Sequence, residues 1–329
     1  MADVARVVGV SLQTVSRVSN GLPSVNEGTR EQVLAVMKEL GYRPNSAARA
    51  LKRGDFRTIG VITLARNTTG DVRTLEAIVT SAAQEGYAVT LLPMAVSTRQ
   101  EAVGAFSRLR ELAVDAVIVT VEVHHLDSVS LSLPPHVKVV VADSNAGDRF
   151  AVVDTDQAGG IRDAVRHLLD LGHETVWHLA GPSESYAAQR RTDAWRKALE
   201  EAERATPPLV RGDWSAKSGY CAGLHLAEQA ECTAVFAAND QMALGLLRAL
   251  KERGRQVPED VSVIGFDDIP ESGSFLPPLT TIHQDFAEVG RRCVESALRQ
   301  VRRHEAERGT TLIPTRLIVR QSTARAPKG

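Results

Sequence analysis

Two hydrophobic periodicities divide the chain. Over the first forty residues apolar positions return at the spacing of short helices, whereas from residue 57 onward they gather into brief runs separated by amphipathic stretches. Residues 3–8 place Val4, Ala5 and Val8 on one side, and Gly9, lacking a Cβ, suits the left-handed turn that ends such a helix. Ser11 then caps a second helix in which Val15 and Val18 point inward while Leu12, Gln13, Ser16 and Arg17 share the opposite face. A third helix over 26–40 carries the stripe Val33, Val36, Met37 and Leu40, stops at Gly41 and cannot continue through Pro44. The alanine-rich, basic segment 45–54, capped by Asn45, is too short to be a stable helix alone and is expected to order only when docked.

Beyond residue 57 the apolar runs predict strands over 58–64, 88–94, 116–121, 138–143, 175–180, 234–238 and 262–266. Helices are predicted around 71–85, 98–112, 157–171, 186–203, 216–230 and 240–253. Repeated strand-helix-strand units call for parallel sheets covered on both faces, and these are too many for one sheet. The pattern restarts near Asp154, and strands near 279–283 and 312–320 return late, so two similar lobes joined by several crossings are expected.

Composition narrows the class. At 329 residues with 43% hydrophobic side chains the chain suits a small domain plus a large bilobed one. Its three cysteines, Cys221, Cys232 and Cys293, have neither a disulfide-framework count nor metal-ligand spacing. With no signal-peptide layout and no apolar run near the ~20 residues of a membrane span, a cytoplasmic protein is expected. Net charge is −1, yet residues 1–54 carry eight basic against four acidic side chains, a basic head on an acidic body. Such a head suits a polyanion, because each neutralised phosphate releases counterions, although a solvated face would look the same.

The head also has reading chemistry. Two short helices joined by a glycine turn make a helix-turn-helix, whose second helix enters the major groove when it serves DNA. Gln13 can pair bidentately with adenine and Arg17 with guanine, and Leu12 offers apolar contact to a thymine methyl. Any small helical hairpin shares the spacing, and segment 45–54 reads equally as a plain linker. The motifs Asp3-Val4-Ala5, Gly9-Val10-Ser11, Thr14 to Val18, Thr29-Arg30, Gly41 to Asn45 and Ala48 to Leu51, however, resemble together the headpiece and hinge of the lactose/galactose repressor family. That resemblance implies a homodimer on pseudo-palindromic double-stranded operator DNA. It also implies a contact set of Leu12, Gln13, Thr14, Ser16, Arg17, Asn20 and Thr29, with Asn45, Ala48 and Leu51 from a hinge in the minor groove. Family headpieces usually begin several residues earlier with a capping threonine; here either Asp3 takes over the cap or the start lies upstream. The chain ends shortly after its last strand with no leucine-heptad run, which also favours a dimer.

In open α/β sheets ligands bind beyond the carboxyl ends of strands. There this sequence places Asn239-Asp240, Asp267-Asp268, Asp154 and Asp156, with Trp214 and Phe286 as rings for the apolar face of a sugar, though Asn and Asp at such points also cap helices. The stretches 212–216, 238–245, 265–268, 277–282 and 284–286 resemble the lactose-responsive members of the family. The resemblance implies a small sugar effector, galactoside-type, held by Arg191, Trp214, Asn239, Asp267, Gln284 and Phe286. Two ligand residues of those relatives are replaced here, an aspartate by Gly159 and an asparagine by Thr120, for which Asp154, Asp156 or Glu122 are candidate substitutes.

The predicted fold is therefore α/β: a small all-α helix-turn-helix headpiece over 1–44, a hinge over 45–56, and over 57–329 a bilobed effector domain of two parallel-sheet lobes like that of a periplasmic binding protein. The function implied is a repressor of a carbohydrate operon, released by sugar; a corepressor or a transport-class sugar receptor are the alternatives. No cofactor fingerprint, phosphate loop or nucleophile elbow argues for an enzyme. Asp267 and Asp268, adjacent on a strand, face opposite ways, and His124-His125 alone do not make a metal site.

Overall fold

In the computed structural model, residues 1–19, 21–42, 55–64, 68–94, 113–120, 137–143 and 149–327 are described. The chain divides into two units, Met1–Arg57 and Thr58–Gly329. The first contains α1 (Ala2–Val8), α2 (Leu12–Ser19) and α3 (Glu27–Glu39). Val4, Ala5, Val15, Val18, Val33 and Met37 form its core, as the helical spacing requires. Gly9 at φ 73° turns α1 into α2 and donates its N–H to Ala5 O, and Ser11 Oγ accepts from Thr14 N at 3.1 Å. Asp3 does not take over the cap of α1: Met1 holds the N-cap position without a side-chain bond, and Asp3 instead faces Arg6 at 3.3 Å on the surface. The expected hinge over 45–54 lies outside the described residues.

The second unit has two six-stranded sheets. Lobe 1 is built from β1 (Thr58–Leu64), β2 (Ala88–Met94), β3 (Ala116–Val119), β4 (Lys138–Ala142), β5 (Ala151–Thr155) and β11 (Gly309–Ile313), all parallel in the order β11-β5-β4-β3-β1-β2. Lobe 2 uses β6 (Trp177–Ala180), β7 (Val210–Arg211), β8 (Ala234–Ala237), β9 (Ser262–Asp267), β10 (Thr280–His283) and β12 (Arg316–Ile318), in the order β12-β10-β9-β8-β6-β7 with β12 antiparallel. The helices of this unit are α4 (Thr69–Gln84), α5 (Gln157–Asp170), α6 (Tyr186–Glu201), α7 (Ala216–Ala227), α8 (Asp240–Glu252) and α9 (Phe286–Arg303). The helix expected over 98–112 lies outside the described residues.

The central strands are buried on both faces, which explains why they read as unbroken apolar runs. Strand alternation then sorts them. Val235, Ala237 and Val263 face α7 and α8, while Ala234, Phe236, Ile264 and Phe266 face α5 and α6. In lobe 1, Ile78 and Ala82 of α4 and Val289, Cys293 and Ala297 of α9 cover Ile59, Val61, Ile118, Val140 and Val153.

The chain changes lobe three times, between β5 and α5, between β10 and α9, and between β11 and β12. One expectation is corrected here. The single strand read over 312–320 is two strands, β11 and β12, that pair in different sheets: Pro314, which has no N–H to give a ladder, separates them and the chain crosses at Thr315. The strand at 151–155 was not foreseen, and the pattern restart near Asp154 is the end of lobe 1, two residues before the first crossing.

Helix α6 is fixed to its sheet by Trp195, fully buried, whose indole N–H donates to Val176 O at 2.8 Å just before β6. Trp195→Phe leaves that carbonyl unpaired and opens a small cavity; urea unfolding is expected to show a loss of about 2 kcal/mol.

Candidate functional site

On the headpiece, the exposed side of α2 carries Leu12, 54% exposed, with Gln13 and Arg17 exposed one turn apart. Thr14, Ser16 and Thr29 are half-buried, and the Thr14 hydroxyl lies 2.9 Å from Ser11 Oγ, so it belongs partly to the cap. Leu22 N returns to Arg17 O at 3.0 Å, and the Arg30 guanidinium donates to Leu22 O at 2.5 Å, closing the loop behind α2. A short amphipathic helix held by its apolar face thus leaves a bidentate amide and a guanidinium on one exposed stripe, the pairing chemistry of base edges. Asn20, Asn45, Ala48 and Leu51 lie outside the described residues.

The second site is where the lobes meet. Arg191, buried on α6, donates from Nε to Gln157 Oε1 at 2.8 Å and from Nη1 to Ala238 O. Its Nη2 stands 3.7 Å from Asp267 Oδ1, and its guanidinium carbon lies 3.9 Å from the Phe266 ring centre and 5.5 Å from that of Trp214. Asp267 ends β9 at φ 109° and accepts from Gln284 Nε2 at 2.6 Å. Burial pushes the Asp267 carboxyl up to about 6, with Arg191 and Gln284 opposing the rise. Asn239 caps α8 through Met242 N at 2.9 Å and donates from Nδ2 to Trp214 O at 3.0 Å, which ties the Trp214 loop to the end of β8. Phe286 opens α9 at the second crossing, close enough to α4 that a Cβ on Gly70 would lie 3.3 Å from its ring. The structure therefore brings Arg191, Trp214, Asn239, Asp267 and Gln284 together, with hydrogen bonds from Gln284 to Asp267 and from Asn239 to Trp214 O and with Arg191 facing Asp267 and the Trp214 ring, and places Phe286 two residues past Gln284.

Other expectations resolve differently. Asp156 caps α5 by accepting from Gly159 N at 2.9 Å, and a Cβ on Gly159 would lie 2.4 Å from its Oδ2. Thr120 donates back to Ile62 O at 3.2 Å, and Glu122 with His124 and His125 lies outside the described residues. Asp240 is structural, buried against Thr281 Oγ1 at 2.6 Å and Ile269 N at 2.9 Å. Asp268 turns away from Asp267: despite partial burial, hydrogen bonds from Arg320 and His283 hold its carboxyl below the usual range. Asp154 of lobe 1 pairs with Arg190 of α6 in lobe 2, and burial, aided by neighbouring Asp143 and opposed by Arg190, pushes its carboxyl up to about 7. A second contact across the lobes joins Gln241 of α8 to Thr69 of α4.

Sequence reading missed Gln157, Asp143 and Arg190. One signal for Gln157 was present, since it stands four residues before Ile161 on the buried stripe of α5, where a polar side chain needs partners. Among the described residues no group of three or more His, Cys, Asp or Glu side chains is placed to hold a metal, and no helix is long and apolar enough to cross a membrane.

Comparison with known proteins identifies the family of both units. Residues 1–45 match the family model of bacterial regulatory proteins, lacI family, and residues 165–323 match the periplasmic binding protein-like domain. The lactose operon repressor of Escherichia coli strain K12 is 35% identical over 98% of this chain and 89% of its own length. The crystal structure of the lac repressor dimer bound to operator and the anti-inducer ONPF superposes with a TM-score of 0.90 at 35% identity, covering 98% of each chain. A LacI family transcriptional regulator from Enterococcus faecium with bound ribose superposes with a TM-score of 0.70 at 27% identity, over 82% of this chain and 99% of that one.

The carboxyls of Asp154 and Asp267 take up protons in the folded state at pH values where the unfolded chain has released them. Each contribution is absent below the unfolded pKa of about 4 and turns against folding as pH rises from there to the folded value. Asp154→Asn is therefore expected to flatten the fall in urea-unfolding stability between pH 4 and pH 7, the window between the unfolded value and the folded one of about 7. An unchanged slope would show that Asp154 does not titrate in that window.

Proposed function

The chain belongs to the lacI family of bacterial regulatory proteins, and from that premise we propose how its two sites work together: a non-catalytic, sequence-specific repressor whose grip on operator DNA is set by a small sugar between its lobes. The observation that carries this reading is the buried Arg191–Asp267–Gln284 set at the strand ends where the lobes meet, in the same chain as an α2 helix presenting Gln13 and Arg17. Sugars carry neighbouring hydroxyls that both donate and accept, and a carboxylate beside a guanidinium, with the Trp214 ring 5.5 Å from the guanidinium carbon, supplies the complementary groups.

Leu12, Gln13, Thr14, Ser16, Arg17, Asn20 and Thr29 contact the operator, with Asn45, Ala48 and Leu51 added from residues 45–56, which pass the state of the cleft to the headpiece. Arg191, Trp214, Asn239, Asp267, Gln284 and Phe286 hold the effector. The likeness of the pocket sequence to that of lactose-operon repressors supports a galactoside-type ligand acting as inducer. The working unit is a homodimer on double-stranded DNA, supported by the dimeric state of the lac repressor structure it matches. Its place of action is the cytoplasm, where the operator is.

Fluorescence anisotropy of duplexes from the chain's own upstream region, titrated with a galactoside, a glucoside and ribose, tests both halves. Arg17→Ala is expected to cost about 2 kcal/mol of specific operator affinity, roughly thirtyfold. Asp267→Asn is expected to bind operator normally and no longer respond to sugar; a normal response would refute the assignment of the cleft.

A further inference from the structure

A buried guanidinium next to a carboxylate ordinarily closes on it as a bidentate pair at about 2.8 Å. Here it does not: Arg191 Nη2 stays 3.7 Å from Asp267 Oδ1, beyond hydrogen-bond reach. What restrains it is visible on its other nitrogens. Nε is held by Gln157 Oε1 at 2.8 Å and Nη1 by Ala238 O, while Asp267 is drawn toward Gln284. Gln157 itself is fully buried at the first crossing, and its Nε2 donates to Asp143 Oδ1 at 2.9 Å. Asp143 follows β4 in lobe 1, and Arg191 belongs to lobe 2. A carboxylate can only accept and a guanidinium can only donate, so the two neighbours fix the amide in one orientation.

We propose that Gln157 is a positioning residue of the effector cleft, which, braced by Asp143 of lobe 1, holds Arg191 back from Asp267 so that a sugar hydroxyl can bridge the two. This inference rests on the sugar-responsive reading above. Loss of the Gln157 acceptor lets Arg191 swing onto Asp267 and close the pair, sealing the place where the hydroxyl binds. Asp154 and Arg190, also in this cluster, are paired with each other across the lobes, and Asp143, Arg73 and the buried Asp240 act on Asp267 as well.

The full-length chain is titrated calorimetrically with methyl β-galactoside, cellobiose and ribose, and its operator affinity is measured without sugar. For whichever sugar the wild type binds, Gln157→Leu is expected to weaken binding about tenfold or more, the size of one charge-assisted hydrogen bond, with operator affinity unchanged. Closure of the ion pair also moves the acid limb of sugar binding to lower pH, a shift that a merely structural role would not produce. Gln157→Glu keeps the acceptor for Arg191 but faces Asp143 with like charge, so it weakens sugar binding as well. The double variant Gln157→Glu/Asp143→Asn restores a donor–acceptor pair in the opposite sense and is expected to recover sugar affinity to within about threefold, as a coupled pair does in a double-mutant cycle. That rescue also carries the test if the leucine variant fails to fold. Wild-type sugar affinity in Gln157→Leu, or no rescue in a folded double variant, overturns the positioning role and leaves the sugar reading intact. A wild-type chain that binds operator and none of the three sugars overturns both.

Discussion

A single buried cation organises the effector unit. Arg191 has lost its water and must be repaid by fixed acceptors: it donates to Gln157 at the start of α5 and to Ala238 after β8, and it faces Asp267 at the tip of β9 at 3.7 Å. The aromatic faces of Phe266 and Trp214 complete its surroundings. These neighbours belong to lobe 2, and Gln157 ties them to lobe 1 through its hydrogen bond to Asp143, so the position of the guanidinium depends on the first crossing.

That dependence links packing to function. The three crossings, next to Gln157, Gln284 with Phe286, and Thr315, form the boundary between the lobes, where Thr315 Oγ1 donates to Asp156 O at 2.9 Å. Within it, few cross-lobe contacts are strong, and those described are polar: Asp154 with Arg190, Gln157 with Asp143, and Gln241 with Thr69. Polar contacts at a boundary of this kind exchange partners at small net cost, unlike the apolar cores of each lobe. A ligand that competes for them has leverage over lobe geometry while leaving the cores unchanged.

The extent to which the sequence foretold this depends on whether the signal was local. Gly9, Ser11 and the Val15/Val18 spacing define the headpiece within a dozen residues, and the structure follows them closely. Runs such as Val139-Val140-Val141 announce central strands because both faces are buried. The failures are tertiary. Pro314 marks a break between β11 and β12, but a break alone does not say that the two strands belong to different sheets. Asp156 and Asp267 look alike in sequence, each an acid at the end of a strand. Only Gly159 N beneath the one and Arg191 beside the other make the first a helix cap and the second a cleft acid. The place of Gln157 on the buried stripe of α5 signals that it needs partners, but not which ones, because both are remote, Asp143 by 14 positions and Arg191 by 34.

If the cleft and the headpiece are two ends of one equilibrium, each ligand must weaken the other's binding by the same factor. The most direct measurement is sugar affinity of the full-length protein, free and saturated with operator duplex, beside operator affinity with and without saturating sugar. Equal ratios, on the order of tenfold or more, are what reciprocal coupling requires. Sugar that binds free and operator-bound protein equally well would contradict the account at its centre.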